Sequence, residues 1–311
     1  MKFDYIKCHG SGNEFVMVDA VKYNLDGIDL AEFARFICDR ENSVGADGVL
    51  LLVKEGDMFG MRMFNPDGSE AEMCGNGIRC VARLAEEYVG CREFDMFSGG
   101  NIYGIVRAED IYPAMPTYGV DLKVRLASDD FGFAKGAEQF VSQPIERLDK
   151  ELLWTAINVG NPHIVAEVSE IDYDHLTRLG ERVLELRDEF PKGINVSLVK
   201  VLEANRIFVA TFERGAGITA SCGTAMTSSA TAMALNGRCD YETTIDVENR
   251  GGAVRCICHK VGALHTQLIG NASYISCGRV VAEEGGFVCV ELGKFDNEIA
   301  LYNDFLNSKK S

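Results

Sequence analysis

A chain of 311 residues, 47% of them hydrophobic, is long enough for two cores, because a domain commonly takes roughly 150 residues. Its formal net charge of −16 argues against a nucleic-acid partner, which needs a basic face. No apolar run approaches the roughly 20 residues of a membrane-spanning helix, so we expect no membrane partner either.

The 11 cysteines predict free thiols in a reducing compartment. An odd number at irregular spacing does not suit a disulfide framework. The first residues, Met1-Lys2-Phe3-Asp4, lack an apolar signal segment, so we expect a cytoplasmic protein. The run Cys256-Ile257-Cys258-His259 has no second ligand pair at suitable spacing, and we expect no metal site there.

The first half of the chain predicts a strand, a turn and a helix around one cysteine. Residues 61–64 are β-rich and predict a strand, and Asn65-Pro66-Asp67-Gly68 predicts a turn. Apolar residues at helical spacing run from Ile78 to Val89, and Gly90 is a typical helix stop. Cys74, with Gly75 after it, is therefore predicted at or just before the N-terminus of a helix.

The second half predicts the same series. Residues 207–212 predict a strand, and residues 213–217 predict a turn. The pair Cys222-Gly223 follows, and Met226, Ala230 and Met233 then recur at helical spacing before Gly237. Beyond residue 280 the pattern predicts a last strand or hairpin and a short polar helix, within residues 281–311.

The two halves align at one fixed offset. Cys74 and Cys222 are 148 positions apart, and the same shift needs no gap across some 70 residues. It superimposes Gly12-Asn13 on Gly160-Asn161, Gly45 on Gly193, Phe64 on Phe212, Asp47 on Asn195 and Ala82 on Ala230. We infer a tandem duplication with two similar domains. We expect residues 1–122 to form the first domain, joined by the segment 281–311, and residues 123–280 to form the second.

A cysteine at a helix N-terminus suits proton transfer. The helix dipole and the unpaired N–H groups of the first turn favour a thiolate, and the same N–H groups can bind a substrate carboxylate. Two such thiols on opposite faces of one carbon can remove and deliver the α-proton, which inverts the centre. Nothing in the sequence identifies a Schiff-base lysine with a phosphate site, so we expect no pyridoxal phosphate and no other cofactor.

Several motifs together resemble the diaminopimelate epimerase family. They are residues 8–15 (CHGSGNEF), 45–48 (GADG), 64–69 (FNPDGS), 74–77 (CGNG), 160–163 (GNPH), 195–196 (NV), 213–217 (ERGAG) and 222–224 (CGT). The likeness covers about residues 3–280. It implies an α/β (α+β) fold of two pseudo-symmetric domains, each a barrel-like mixed sheet around a central helix. It also implies an active site in the cleft between the domains, an amino acid as the substrate, and a homodimer.

The resemblance also implies a role for each matching residue. Cys74 and Cys222 match the catalytic acid/base pair, and His163 and Glu213 match residues that orient or assist the cysteines. Gly75, Asn76, Gly223 and Thr224 match the groups that hold the reacting carboxylate, and Asn13 lies near the reacting end. The residues that match the set for the distal amino-acid end are Asn65, Asn161, Asn195, Glu213 and Arg214.

This sequence departs from the family pattern in three places. Ile218 replaces the usual glutamate after Gly-Ala-Gly, Ala225 replaces the usual glycine after Cys-Gly-Thr, and the extension after about residue 281 is unusual. The function that the resemblance implies is interconversion of L,L- and meso-diaminopimelate, in lysine and peptidoglycan precursor synthesis. The alternatives are a racemase of another amino acid, such as histidine, and a non-catalytic ligand-binding protein of the same fold.

Overall fold

The structure, a computed structural model, describes residues 1–127 and 129–309 and contains two units, each with its own core. Unit 1 comprises Met1–Val120 and Ile269–Ser311, and unit 2 comprises Asp121–Leu268. The chain thus leaves unit 1 near residue 120 and returns to it near residue 269. The domain boundaries expected from the sequence, after residues 122 and 280, stay a prediction.

The first eight strands and two helices belong to the first sequence repeat. They are β1 (Lys2–Gly10), β2 (Asn13–Asp19), α1 (Leu30–Ile37), β3 (Val49–Glu55), β4 (Met58–Phe64), β5 (Glu70–Ala71), α2 (Gly75–Val89), β6 (Glu93–Ser98), β7 (Asn101–Arg107) and β8 (Thr117–Lys123). β1 pairs antiparallel with β2, β2 parallel with β3, and β3 antiparallel with β4. The helix α2 packs against β1 to β4 and is the central helix of unit 1.

The second repeat follows a single 3-10 turn at Gly132–Ala134. Its elements are β9 (Gln143–Ile145), β10 (Asp149–Asn158), β11 (Pro162–Glu167), α3 (Tyr173–Glu185), β12 (Asn195–Glu203), β13 (Arg206–Glu213), β14 (Gly217–Thr219), α4 (Gly223–Leu235), β15 (Thr244–Asn249), β16 (Gly252–His259) and β17 (His265–Asn271). The helix α4 packs against β10, β11, β12, β13, β15 and β16, and 11 of its residues are buried.

The pairing order repeats between the two units. β10 pairs antiparallel with β11, β11 parallel with β12, and β12 antiparallel with β13, as β1 to β4 do in unit 1. β4 pairs parallel with β6, and β13 pairs parallel with β15. The mixed α+β fold and the duplication expected from the sequence are confirmed. The strands expected at residues 61–64 and 207–212 lie within β4 and β13.

The last part of the chain completes unit 1. It forms β18 (Ser273–Glu283), β19 (Gly286–Lys294) and α5 (Asp296–Ser308). β18 pairs antiparallel with both β1 and β19, so the C-terminal hairpin extends the sheet that the N-terminal strand begins. The expected hairpin and polar helix are present, and Lys310 and Ser311 lie outside the described residues.

Each unit has a separate apolar core. In unit 1 a cluster of 13 buried residues includes Phe3, Phe33 and Leu51, and in unit 2 a cluster of 16 includes Trp154, Phe190 and Val196. Burial of side chains of this size contributes about 1.5–3 kcal/mol each, which holds each sheet to its helices. Within the described residues, no helix is both long and apolar enough to cross a membrane.

Candidate active site

Cys74 occupies the N-cap of the central helix of unit 1. Its backbone is extended (φ −141°, ψ 113°), and the Gly77 amide donates to its Sγ at 3.4 Å. A serine or aspartate oxygen normally takes this bond, so the sulfur satisfies a helix N–H group that would otherwise lack a partner. α2 begins at Gly75 and ends before Gly90, whose left-handed φ of 71° is the expected glycine stop.

Asn13 lies beside the Cys74 thiol. Its Oδ1 is 4.0 Å from Cys74 Sγ and 3.4 Å from Asn76 Nδ2, while its Nδ2 donates to Asp47 Oδ2 at 2.8 Å. The same Asp47 oxygen accepts the Glu14 amide at 2.9 Å. The predicted residues Asn13, Cys74 and Asn76 are therefore together in unit 1, and Asp47 fixes the amide of Asn13.

Two further predicted residues of unit 1 are held locally. Asn65 donates to Ser69 Oγ at 2.9 Å, and its backbone amide donates to Ser69 O, so the turn after β4 fixes its side chain. Gly75 is buried as the first residue of α2. The turn that begins at Asn65, nine residues before Cys74, is the one that the sequence predicted.

Cys222 occupies the equivalent N-cap in unit 2. Its φ and ψ, −132° and 111°, match those of Cys74, and α4 starts at Gly223. Its Sγ lies 3.4 Å from Thr224 Oγ1, and the residue is 8% exposed. The structure thus places both predicted cysteines directly before a buried helix.

Four predicted residues of unit 2 form one connected chain of hydrogen bonds. His163 Nε2 is 3.0 Å from Asn161 Oδ1 and 3.4 Å from Asn195 Nδ2. Asn195 Oδ1 accepts the Arg214 backbone amide at 2.8 Å. Glu213, one residue earlier, accepts a hydrogen bond from the Thr219 hydroxyl. Asn161, His163, Asn195 and Arg214 are therefore joined by direct contacts, although they belong to three separate segments of the sequence. Glu213 and Thr224 instead contact nearby residues, Thr219 and Cys222.

The side chain of Arg214 is exposed and passes so close to residue 193 that this residue has to be a glycine. A Cβ on Gly193 would lie 2.8 Å from Arg214 Cδ, and Gly193 also has a left-handed φ of 70°. Arg214 Nη1 donates to Lys192 O at 2.6 Å. The guanidinium has five N–H donors, so this bond leaves others for a ligand.

Burial dominates the acid–base chemistry of both thiols. Although Cys74 as a residue is partly exposed, burial of its thiol raises the pKa to about 11, and the amides of Gly77 and Asn76 oppose that shift. Burial also raises the pKa of Cys222 well above its usual range, and the negative charge of Glu213 adds to the effect. The Thr224 hydroxyl and the Ala225 amide act in the opposite direction.

Sequence reasoning missed Asp47 and Thr219 as supports of the site. Asp47 holds Asn13, and Thr219 holds Glu213. The offset of 148 offered a signal for Asp47, since it falls on Asn195, which was a predicted site residue. Thr219 has no such signal, because its partner in the first repeat is Ala71.

Two of the three departures from the family pattern, Ile218 and Ala225, fall on packing positions. Ile218 is partly buried against the core of unit 2, opposite Phe212 in the β13–β14 ladder. Ala225 is fully buried in the first turn of α4, and its amide still serves the Cys222 thiol. Neither change removes a hydrogen-bonding group from a predicted site residue.

Comparison with known proteins decides the family. The family model described as diaminopimelate epimerase matches residues 5–109 and 155–275. The chain belongs to the diaminopimelate epimerase family. The diaminopimelate epimerase of Clostridium acetobutylicum is 36% identical, over 98% of this chain and 94% of its own length. That of Listeria innocua is 37% identical, over 90% of this chain and 89% of its own.

A solved structure supports the same fold. A phenazine biosynthesis protein of the PhzF family from Bacillus anthracis superposes with a TM-score of 0.65 at 17% identity, over 91% of this chain and all of that one. At this identity the likeness concerns the fold alone. Within the described residues, no group of three or more histidine, cysteine or acidic side chains is arranged to hold a metal ion.

Two buried histidines make the folded protein sensitive to acid. Burial lowers the pKa of His9 to about 4, and burial together with the Arg214 charge lowers that of His163 to about 3. An unfolded histidine titrates near 6.5, so the unfolded chain binds more protons below that pH. Stability is therefore complete above pH 6.5 and falls as pH decreases, by about 1.4 kcal/mol per histidine for each pH unit.

We expect urea unfolding at pH 7, 6 and 5 to show this loss in the free energy of unfolding. Because His163 supplies part of the slope, the His163→Asn variant should lose stability less steeply with acid than the wild-type protein, whatever its stability at pH 7. Equal slopes for the two proteins between pH 6.5 and 5 would contradict the assignment to His163.

Proposed function

We propose that this protein interconverts L,L- and meso-diaminopimelate by two-base proton transfer between thiols, without a cofactor. The observation that carries the proposal is the cysteine at the N-cap of the buried central helix in each of two repeats. Family membership supports diaminopimelate as the substrate. Binding alone needs no thiol, so the presence of both cysteines argues against a purely ligand-binding role.

The reaction needs one thiolate and one thiol. The thiolate removes the α-proton and becomes a thiol, and the electron pair left on carbon spreads into the carboxylate as an enediolate. The second thiol then delivers its proton to the opposite face and becomes the thiolate. Each turnover therefore exchanges the protonation states of the two sulfurs, and the reverse direction uses the same groups in exchanged roles.

The helix N-termini supply the electrostatic stabilisation. Gly75 and Asn76 begin α2, and Gly223 and Thr224 begin α4, so their N–H groups are available to the carboxylate as its negative charge grows. Donors already aimed at the developing charge are the largest contribution in many sites of this kind. We propose that Asn13 positions the reacting end and that His163 and Glu213 assist the thiols.

We expect Cys74→Ala and Cys222→Ala each to reduce inversion by at least about a thousandfold, because each thiol serves one face. Proton NMR in deuterium oxide should still detect slow α-proton exchange by the remaining thiolate. That exchange should be confined to one stereoisomer in each variant, and to opposite isomers in the two. Wild-type activity should survive a chelator and a carbonyl reagent but not thiol alkylation.

The double variant provides the matched control, since it should neither invert nor exchange. If either single variant kept inversion near the wild-type rate, the two-base mechanism would be wrong. If both single variants exchanged the same isomer, the two thiols would not serve opposite faces.

The distal end of the substrate is a second zwitterion, and we propose that four residues of unit 2, together with Asn65 of unit 1, recognise it. Arg214 offers a cation for the carboxylate, and Glu213 offers a carboxylate for the ammonium. The amides of Asn65, Asn161 and Asn195 suit the remaining hydrogen bonds. A substrate without this head leaves such groups unpaired, and sites built on hydrogen bonds can discriminate by roughly ten-thousandfold.

We expect kcat/KM for L,L-diaminopimelate to exceed that for histidine or proline by at least about tenfold. Arg214→Met should raise KM for diaminopimelate and leave the alkylation rates of Cys74 and Cys222 unchanged. Arg238→Met is the control, since Arg238 is an exposed arginine of unit 2 that pairs with Glu167 at 2.7 Å. Faster turnover of a single-headed amino acid by the wild-type protein would contradict the substrate assignment alone.

A homodimer and a cytoplasmic location complete the proposal. All 11 cysteines are free thiols, as a reducing compartment favours. On β19 the side chains of Val288 and Val290 lie on one face and are 53% and 54% exposed, and Leu292, at an irregularity of the same strand, is 58% exposed. An apolar row on one strand is typical of a protein–protein contact, and a two-fold axis lets the same row meet itself in a second copy.

We expect the wild-type protein to have twice the 34.1 kDa chain mass in sedimentation or light-scattering experiments. Val290→Lys should shift it towards the monomer, because two charges would meet in an apolar contact. Val261→Lys is the control, as Val261 is 82% exposed in a loop of unit 2. A wild-type monomer at all concentrations, or an equal effect of both substitutions, would argue against the β19 contact.

A further inference from the structure

Arg79 is a fully buried cation on the central helix of unit 1. It lies one turn after Cys74, and the side chain has no exposed surface. Its Nη1 donates to Gly75 O at 3.0 Å, its Nη2 to Ser11 Oγ at 3.1 Å, and its Nε to Asn271 O at 3.3 Å. A second Nη2 contact joins Asn76 Oδ1 at 2.9 Å. One guanidinium therefore bonds three segments of chain.

Two glycines of the surrounding backbone leave room for this guanidinium. A Cβ on Gly10 would lie 2.9 Å from Arg79 Nη2, and a Cβ on Gly270 would also lie 2.9 Å from that atom. Real Cβ atoms essentially never come so close to another heavy atom. Glycine at both positions lets the strands approach the planar group from two sides.

Two of the three bonded segments, the turn at Ser11 and the start of α2, hold residues of the proposed site. Ser11 belongs to the turn that leads into Asn13, and its amide donates to Asn271 Oδ1 at 2.8 Å. Asn76, which shares Arg79 Nη2 with that turn, also donates to Asn13 Oδ1. Arg79 thus connects the Asn13 turn to the start of α2, where Cys74 is the N-cap.

Arg79 also places a positive charge near the Cys74 thiol. Burial raises the pKa of Cys74, the amides of Gly77 and Asn76 lower it, and the Arg79 charge lowers it further. The neighbouring thiol of Cys80 acts in the opposite direction. A positive charge close to a thiol favours the thiolate, which is the form that removes a proton.

The other titratable groups that face Arg79 come from β1 and α5. Burial lowers the pKa of His9 to about 4, with a further decrease from Arg79, so this ring is neutral at working pH. Glu14 and Glu298 act on His9 in the opposite direction. Burial raises the pKa of Tyr302, so its hydroxyl is also neutral.

The second repeat has no cation at this position. The offset of 148 takes Arg79 to Thr227, whose hydroxyl donates to Gly223 O at 2.8 Å just as Arg79 Nη1 donates to Gly75 O. Thr227 therefore keeps the hydrogen bond to the first residue of its helix but has no positive charge. Instead, the charge that acts on the Cys222 thiol is the carboxylate of Glu213, which raises the pKa of Cys222.

We infer that Arg79 is a positioning residue for Cys74: it locks the Asn13 turn onto the first turn of α2, and its charge favours the Cys74 thiolate. The inference rests on the proposed function, because it assumes that Cys74 is one of the two bases. It makes the two thiols unequal in the substrate-free protein, with Cys74 the more readily ionised. Arg79 was not among the residues indicated by the sequence, although its partners Gly75 and Asn76 were.

The test measures alkylation of each cysteine by iodoacetamide between pH 6 and 10, resolved by peptide mass spectrometry. The alkylation rate follows the thiolate fraction, and no substrate is needed. In Arg79→Gln, which is neutral, the Cys74 alkylation rate should fall about tenfold across this pH range, all of which lies below the Cys74 pKa of about 11. The Cys222 profile in the same samples should not change.

The Arg79→Lys variant distinguishes the effect of the positive charge from that of the hydrogen bonds. It keeps a cation but loses the planar fork, so the Cys74 profile should stay within about threefold of wild type while kcat falls at least about tenfold. Arg83→Gln is the matched control one turn further along α2. Its partner is Glu298, at 2.7 Å, so we expect a lower Tm and an unchanged Cys74 profile.

An unchanged Cys74 profile in Arg79→Gln would overturn the inference, as would equal shifts at Cys74 and Cys222. If Arg79→Gln does not fold, Arg79→Lys decides alone, and a Cys74 profile that falls tenfold with a retained charge would overturn it. The alkylation results do not depend on turnover. Failure of the proposed function would instead appear as inversion retained by Cys74→Ala.

Discussion

The start of a buried helix is the point on which the chemistry of each unit depends. A helix leaves its first N–H groups without intrahelical partners, and a cysteine at the N-cap brings a thiol to the same place. Burial works against the thiolate, and the amides and the dipole work for it. Sheets on several sides of α2 and α4 keep the helix fixed, so the balance between these opposing effects is set by packing.

The two repeats share their backbone plan and differ in their charges. Both have an extended cysteine, a glycine as the first helical residue, and a side chain four residues later that bonds to the glycine carbonyl. In unit 1 that side chain is the guanidinium of Arg79, and in unit 2 it is the hydroxyl of Thr227. A duplicated chain that acts on a chiral carbon meets two different faces of its substrate. Unequal environments for the two sulfurs are consistent with that task.

Local patterns in the sequence predicted much of this arrangement. Strand-like runs, turn residues and helical spacing located β4, α2, β13 and α4, because each of these signals depends on neighbouring residues alone. The fixed offset then related the two halves. Contacts across long stretches of chain left no comparable signal. An example is the bond from Arg79 to Asn271, whose partners are 192 residues apart.

The interrupted course of unit 1 bears on the order in which the chain folds during synthesis. Residues Asp121–Leu268 are continuous, so unit 2 is complete as soon as its last strand has left the ribosome. β1 is made before unit 2, yet its partner β18 begins at Ser273, and α5 follows at Asp296–Ser308. The ring of Tyr302 on α5 lies 4.3 Å from that of His9. Contacts of such long range close slowly, and β1 must keep an unpaired edge until β18 has been made.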